Sequence, residues 1–390
     1  MAHSVNAIKE ELEQNFISKS SESSELALKE CVDLKSTTVS FLNYIFDLLA
    51  LHMYTHSYTC EVIDKEFRPD QLHTSISHRD HFFPAHIQDF ITNSNSVTYK
   101  YTLSLRERVA TVYLVCFDGD CDCEQVIRLI HTWLLIATHN ISPTCSRFLQ
   151  VYLYMTDFKK LLPDTKGDRS SQDQELSVNN VNSAYTTSCD TNTSIVIYRK
   201  EEWFKVFIHE TFHCLGLDFS HLRFDCTPYL RSQFHFRNVD YKVFESYCET
   251  WARIINVCFS SFTSIRKLPH VSKDKEVEFM EFCTTFSYFM FYEIMFSAMQ
   301  MHKVLCYNSF GYEEIVKGPG PSNINNNKVN KYKEDTAVLS YYVFTNLLMN
   351  NFQKFIMWSG TNHKRGRSIF QFEDTVKNVA SFCKLITTVS

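Results

Sequence analysis

Glycine is scarce in this chain, 8 in 390 residues, while tracts such as NINNN occur. That pairing reads as the coding bias of an AT-rich genome and sets no structural demand. No internal repeat is visible, so a stacked-repeat architecture is not expected. A broad cationic field is also missing. The 39 Lys and Arg against 44 Asp and Glu leave a formal net charge of -5 and a pI near 6.3, which disfavours nucleic acid and anionic membrane as partners. The start, MAHSVNAIKEELEQNF, lacks the apolar centre of a signal peptide, so the chain is expected not to be secreted. Nor is any long apolar run free of charge. The greasiest, FMEFCTTFSYFMFYEIMFSAMQM from Phe279, contains Glu281 and Glu293, which are costly in lipid unless paired; it is expected to be a buried core helix with no membrane span. Fourteen cysteines at irregular spacing in so long a chain suggest reduced thiols and a cytoplasmic location. The string CFDGDCDCEQ from Cys116 holds no C-x-x-C pair. Cys121 and Cys123 are therefore expected to be loop thiols, and a cysteine-nucleophile enzyme is the weaker enzyme reading.

Apolar material is plentiful. Hydrophobic residues make up 44% of the chain and aromatics 15%, with 33 Phe and 20 Tyr, enough to bury a sizeable core in one large unit or two. Residues 1–37 are polar, with SKSSESSE among them, and are expected to be a disordered tail. Residues 38–100 change from a helical pattern to a loop-like one and carry no readable role. From 101 to 390 the pattern is that of one main domain. ERVATVYLVCFDG has strand composition and CEQVIRLIHTWLLIATHN has helical spacing. RFLQVYLYMTDFKKLLP begins as a strand; after a polar loop, VNSAYTTSC and TSIVIYR read as short strands joined by DTNT. The remainder is helical, interrupted by a surface loop over 317–335. The expected class is α+β, a small mixed sheet with a largely helical C-terminal half.

The most informative stretch is KVFIHETFHCLGLDFS, from Lys205. Glu201 and Glu202 suit a helix start, Phe204, Ile208, Phe212 and Leu215 form an apolar stripe, and Gly216 is placed to end it. On such a helix His209 and His213 lie one turn apart on one face and can grip one cation, while Glu210 can reach a water bound to it. The plainer alternative is a core helix whose histidines satisfy backbone carbonyls. His52 and His56 share the spacing without the glutamate and read as an ordinary helical pair.

A catalytic zinc usually takes three protein ligands and leaves one position for water. A third histidine in the H-E-x-x-H-x-x-G-x-x-H arrangement would fall at Phe219, so that arrangement fails. VFESYCETWARIINVCF offers Glu245 and Glu249 four apart in an apolar helix. Two carboxylates so placed repel one another and lose hydration unless a cation or histidines hold them. One can ligate the metal and the other can orient a histidine; a solvent-facing edge is the alternative. A second zinc among His73, His78, His81 and His86 has no acidic or cysteine partner at established spacing.

This set resembles the thermolysin-type zinc peptidases, in which a later helix supplies a glutamate ligand and an acidic residue four positions on supports it. FESYCETWA matches that register, which implies Glu245 as ligand and Glu249 as supporter; the family has Asp at the second position, and the reverse assignment, Glu249 as ligand, stays open. The resemblance also implies an edge strand whose Asn-Ala pair binds extended substrate, and Asn182 and Ala184 in NVNSAYTTSC stand at a comparable distance before His209. More widely, YLYMTDFKKLLP, NVNSAYTTSC, IVIYRKEEWFKVFIHETFHCLGLDFS, CETWARIIN and YKEDTAVLSYYVF are similar to uncharacterised zinc metallopeptidases encoded by nucleocytoplasmic large DNA viruses. That resemblance implies a zincin-like fold and a place in host cytoplasm or virion, and leaves the substrate unspecified.

The expected function is hydrolysis of peptide bonds in a peptide or protein substrate, with Zn²⁺ held by His209, His213 and Glu245 and Glu210 as general base. The oxyanion donor is open among His221, His235, Tyr312 and Tyr341. The alternative is a catalytically silent structural or interaction protein of a large DNA virus that keeps the fold.

Overall fold

The computed structural model describes residues 33–54, 58–63, 80–117, 121–163, 175–234, 236, 239–267, 274–317, 332–363 and 368–390. In chain order the principal elements are α1 (Ser36–His52), β1 (Tyr58–Ile63), α2 (Ala85–Asn93), β2 (Val97–Leu105), β3 (Arg108–Cys116), α3 (Cys123–Ala137) and β4 (Phe148–Tyr154). There follow β5 (Ala184–Thr186), β6 (Asn192–Ile197), α4 (Trp203–Cys214), α5 (Val243–Arg266) and α6 (Lys275–Tyr307). A π-helical segment (Leu339–Phe344) leads into α7 (Thr345–Asn350), α8 (Phe352–Asn362) and α9 (Val376–Val389).

Six strands form one mixed sheet in the order β1-β2-β3-β4-β6-β5. β3, β4 and β6 are parallel neighbours, with Val112 opposite Val151 and Val151 opposite Ile195. β1 and β2 extend one side and β5 closes the other, all antiparallel to their neighbours. The two-residue period of a strand sorts side chains between two layers. Ala110, Val112 and Leu114 of β3 enter the main helical core, while Val115 joins Tyr152, Val196 and Tyr198 under Ile87 and Ile91 of α2. On the helical side, the Phe46 ring of α1 lies 5.4–5.7 Å from those of Phe262, Phe279 and Phe282, so α1, α5 and α6 share one core.

The α+β class and the helical C-terminal half are as expected, but four expectations need correction. First, the division at residues 100 and 101 falls inside β2, and α1 begins at Ser36. The stretch 38–100 supplies a helix to the core and two strands to the same sheet; residues 1–32 of the expected tail lie outside the described ones. Second, Cys116 is bonded to Cys121 and Cys145 to Cys189. Strand ends and turns bring the Cα atoms to 6.2 and 4.8 Å, within bridging distance, so these four are neither free nor loop thiols; Cys123 is a free thiol. Third, α6 is only half core. Phe282, Phe286 and Met290 are fully buried, whereas Met280, Phe291, Met295 and Met299 are 44–64% exposed. Fourth, the segment 317–335 is not all surface loop: 318–331 lie outside the described residues, but Tyr332 is buried against Phe236 and Phe310 at 4.8 and 5.7 Å. Among the described residues no helix is long and apolar enough to cross a membrane.

Candidate metal centre

Helix α4 follows β6 by five residues and is buried nearly all round. Its N-cap, Glu202, sits in the left-handed region at φ 60° without capping the helix through its side chain; the carboxylate is instead held by Lys160 at 3.1 Å and Lys205 at 3.4 Å. The other end closes as a Schellman turn. Leu217 N donates to Phe212 O and Gly216 N to His213 O, with Gly216 at φ 64° where a side chain is disfavoured. A Cβ there would also lie 3.0 Å from Cys145 Sγ. From the neighbouring helix, Trp133 Nε1 donates to Thr211 Oγ1 at 2.7 Å, locking the helix's rotation.

Packing of α5 against α4 brings three donor atoms to one point. His209 Nε2 and His213 Nε2 are 3.2 Å apart, and Glu245 Oε2 lies 3.1 Å from the first and 3.3 Å from the second. These three residues could hold a metal ion. Glu249 is not in the triangle. It stands behind His209, with Oε2 3.2 Å from Nδ1, while Oε1 accepts from Lys205 Nζ at 2.7 Å and Arg253 Nε at 2.9 Å. Arg253 also bonds Glu293, so one of the two acids in the apolar run from Phe279 is paired, as burial requires.

Sequence reasoning missed Asp218. The Schellman turn folds the chain back so that this buried carboxylate meets His213 Nδ1 at 2.7 Å, and Ser220 Oγ donates to its other oxygen at 3.1 Å. Both imidazoles therefore have a carboxylate on Nδ1 and turn Nε2 toward Glu245. His213, Asp218 and Cys248 form a second grouping able to hold a metal, but its 2.7 Å contact is a hydrogen-bond distance. Burial, above all, holds the Cys248 thiol high, against the pull of His213.

The electrostatics suit a cation. Burial alone would drive His209 neutral, yet Glu245 and Glu249 outweigh it and lift its pKa to about 9. His213 is likewise raised despite burial, by Cys248, Asp218 and Glu245. Burial would raise Glu245, and the two histidines bring it below the usual carboxylate range. Glu210 moves the other way: burial dominates and raises its pKa, with the histidines opposing.

Glu210 and His209 border a cleft whose other walls include Asn182, Ser183, Ala184 and Tyr341. β5 is the edge of the sheet. Ser183 O accepts from Tyr198 N and Thr187 N donates to Ser194 O; the alternation of an antiparallel ladder then turns the N–H and C=O of Ala184 away from β6. Asn182 has its side-chain oxygen on Thr336 and its carbonyl on Arg199, so it is anchored just before the strand. Tyr341, on the π-helical segment, has its ring 5.8 Å from that of His209. Burial, then Glu245 and Glu210, raise its hydroxyl well above the ordinary value, keeping it a donor.

The other candidates lie elsewhere. His221 pairs with Asp374 at an exposed position, and Tyr312 is not among the residues of this cleft. His235, His56, His73 and His78 lie outside the described residues. His81 is 4.0 Å from Asp335 and His86 packs on Phe158; neither belongs to a grouping that could hold a metal among the described residues. Comparison with protein-family models, with curated proteins and with solved structures finds no match to this chain.

Proposed function

We propose that the chain is a zinc-dependent metallopeptidase of zincin-like build, with His209, His213 and Glu245 as ligands. The observation that carries this reading is the triangle of Nε2, Nε2 and Oε2 atoms at 3.1–3.3 Å. Zinc bonds of about 2.1 Å in a tetrahedron set ligand atoms roughly 3.4 Å apart, so the donors need only a slight adjustment. Two imidazoles and a carboxylate suit zinc; Asp218 on His213 Nδ1 fixes the required tautomer of that ring, and Glu249 stands 3.2 Å from Nδ1 of the other.

Zinc bound there supplies Lewis acidity, lowering the pKa of its water to about 7 and polarising a carbonyl. An extended peptide would pair with the outward N–H and C=O of Ala184. Glu210, its carboxylate made more basic by burial, takes the proton of the attacking water and delivers it to the leaving amine nitrogen. Tyr341 donates to the oxygen on which negative charge develops.

Glu210→Gln separates chemistry from metal retention. On a peptide library the wild type is expected to cleave, and the variant to lose about 10²–10⁴-fold in rate while retaining one zinc per chain by metal analysis. A wild type that holds zinc and cleaves nothing would leave the silent structural protein as the reading; His209→Ala and Glu245→Ala that still bind zinc would remove the site altogether.

A further inference from the structure

Among the described residues, the longest helix carries a face that stays exposed. In α6, positions 277, 280, 284, 288, 291, 295, 299, 302 and 306 recur at spacings of 3, 4 and 4 residues, and none is Asp, Glu, Lys or Arg. Val277, Met280, Phe291, Met295 and Met299 on this line are 44–64% exposed, and His302 and Cys306 are exposed at its end. An 11-residue repeat corresponds to 3.67 residues per turn, close to the helix's own 3.6, so the stripe runs nearly straight along the axis. At 1.5 Å per residue it is about 44 Å long.

We propose that this stripe is a homodimer interface, in which α6 of two copies of the chain packs antiparallel about a two-fold axis near Phe291 and Tyr292. Three observations favour a second copy. The stripe meets itself without opposing charges: the two-fold sets Tyr288 against Met295 of the partner subunit, Thr284 against Met299 of the partner subunit and Val277 against Cys306 of the partner subunit. Its area is sufficient. A face about 44 Å by 12 Å removes roughly 500 Å² per copy, about 1,000 Å² in all, the lower bound for a specific interface.

Charge sets the direction. Glu281 flanks the stripe, half-buried, and Lys303 beside it is exposed; neither makes an ion pair among the described residues. Antiparallel pairing brings Glu281 opposite His302 of the partner subunit with Lys303 of the partner subunit beside it. Parallel pairing would stack Glu281 on its own copy, a like-charge contact.

Sedimentation of the full chain tests this. The wild type is expected at twice 45.8 kDa, and Met295→Glu with Met299→Glu at the monomer mass with an unchanged helical circular dichroism spectrum. Glu281→Lys should weaken the dimer about tenfold or more, and adding His302→Glu and Lys303→Glu in the same chain should restore it. A wild type that stays monomeric overturns the proposal, whether the stripe is bare, covered by another part of the same chain or taken up by neutral lipid vesicles. A dimer that survives the double methionine variant overturns it equally.

Discussion

Asp218 shows how much of a candidate metal centre rests on residues outside the proposed ligand triangle. Its 2.7 Å contact with His213 Nδ1 fixes ring and tautomer together, the arrangement that sharpens a histidine ligand. Asp218→Asn is expected to weaken zinc binding about 10–100-fold, read by competition with a chromophoric chelator, with the fold intact. The pair His209 and His213 was legible because helical spacing alone places residues four apart on one face. Asp218 was not, since its approach depends on the reversal at Gly216, which no periodicity describes. Glu245 and Glu249 share a stripe of one helix, so sequence left their order open; the placement of α5 against α4 puts the first at the imidazole Nε2 atoms and the second among Lys205, Arg253 and His209 Nδ1.

At the scale of elements, the ends of helices matter more than their middles. Gly216→Ala forces a Cβ into the left-handed region, a cost of about 1–2 kcal/mol, and sets it 3.0 Å from Cys145 Sγ; urea denaturation should show at least that loss. The π-helical segment is held at its start by Glu334, which accepts from Leu339 N and from Tyr332 Oη. Burial is the main reason its pKa rises from 4.5 to about 7, although those bonds pull the other way. Between these values the folded chain keeps a proton that the unfolded chain has released, so stability must fall as pH rises through the window, by about 3 kcal/mol in total. Glu334→Gln should flatten that slope in unfolding curves recorded from pH 4 to 8. Strands β3 to β6 were readable from strand composition and turn residues, whereas the half-exposed α6 was not, because its greasiness is continuous and only the packing of α1 and α5 shows which side is used.

For the whole molecule, the sheet and the bonded cysteines tie distant stretches together. Cys145–Cys189 joins the approach to β4 to the β5–β6 turn across 44 residues, beside the end of α4. Closing a loop of that length contributes about 3–4 kcal/mol, so Cys145→Ala with Cys189→Ala should lower the unfolding free energy by that order in denaturant titrations. Irregular cysteine spacing could not reveal the pairing, since nothing local relates the two turns before the strands align. The same holds for the described part of 38–100, whose place became clear only when β1 and β2 took their register on β3. The backbone from Leu339 to Phe344 is wound one residue wider than the α-helix it feeds, and each residue of an α-helix turns the chain by about 100°. Losing one amino acid there would swing the Tyr341 phenol out of the cleft while His209, His213 and Glu245 kept their seats; in the proposed hydrolase the segment would be a dial that silences the chemistry without emptying the cradle.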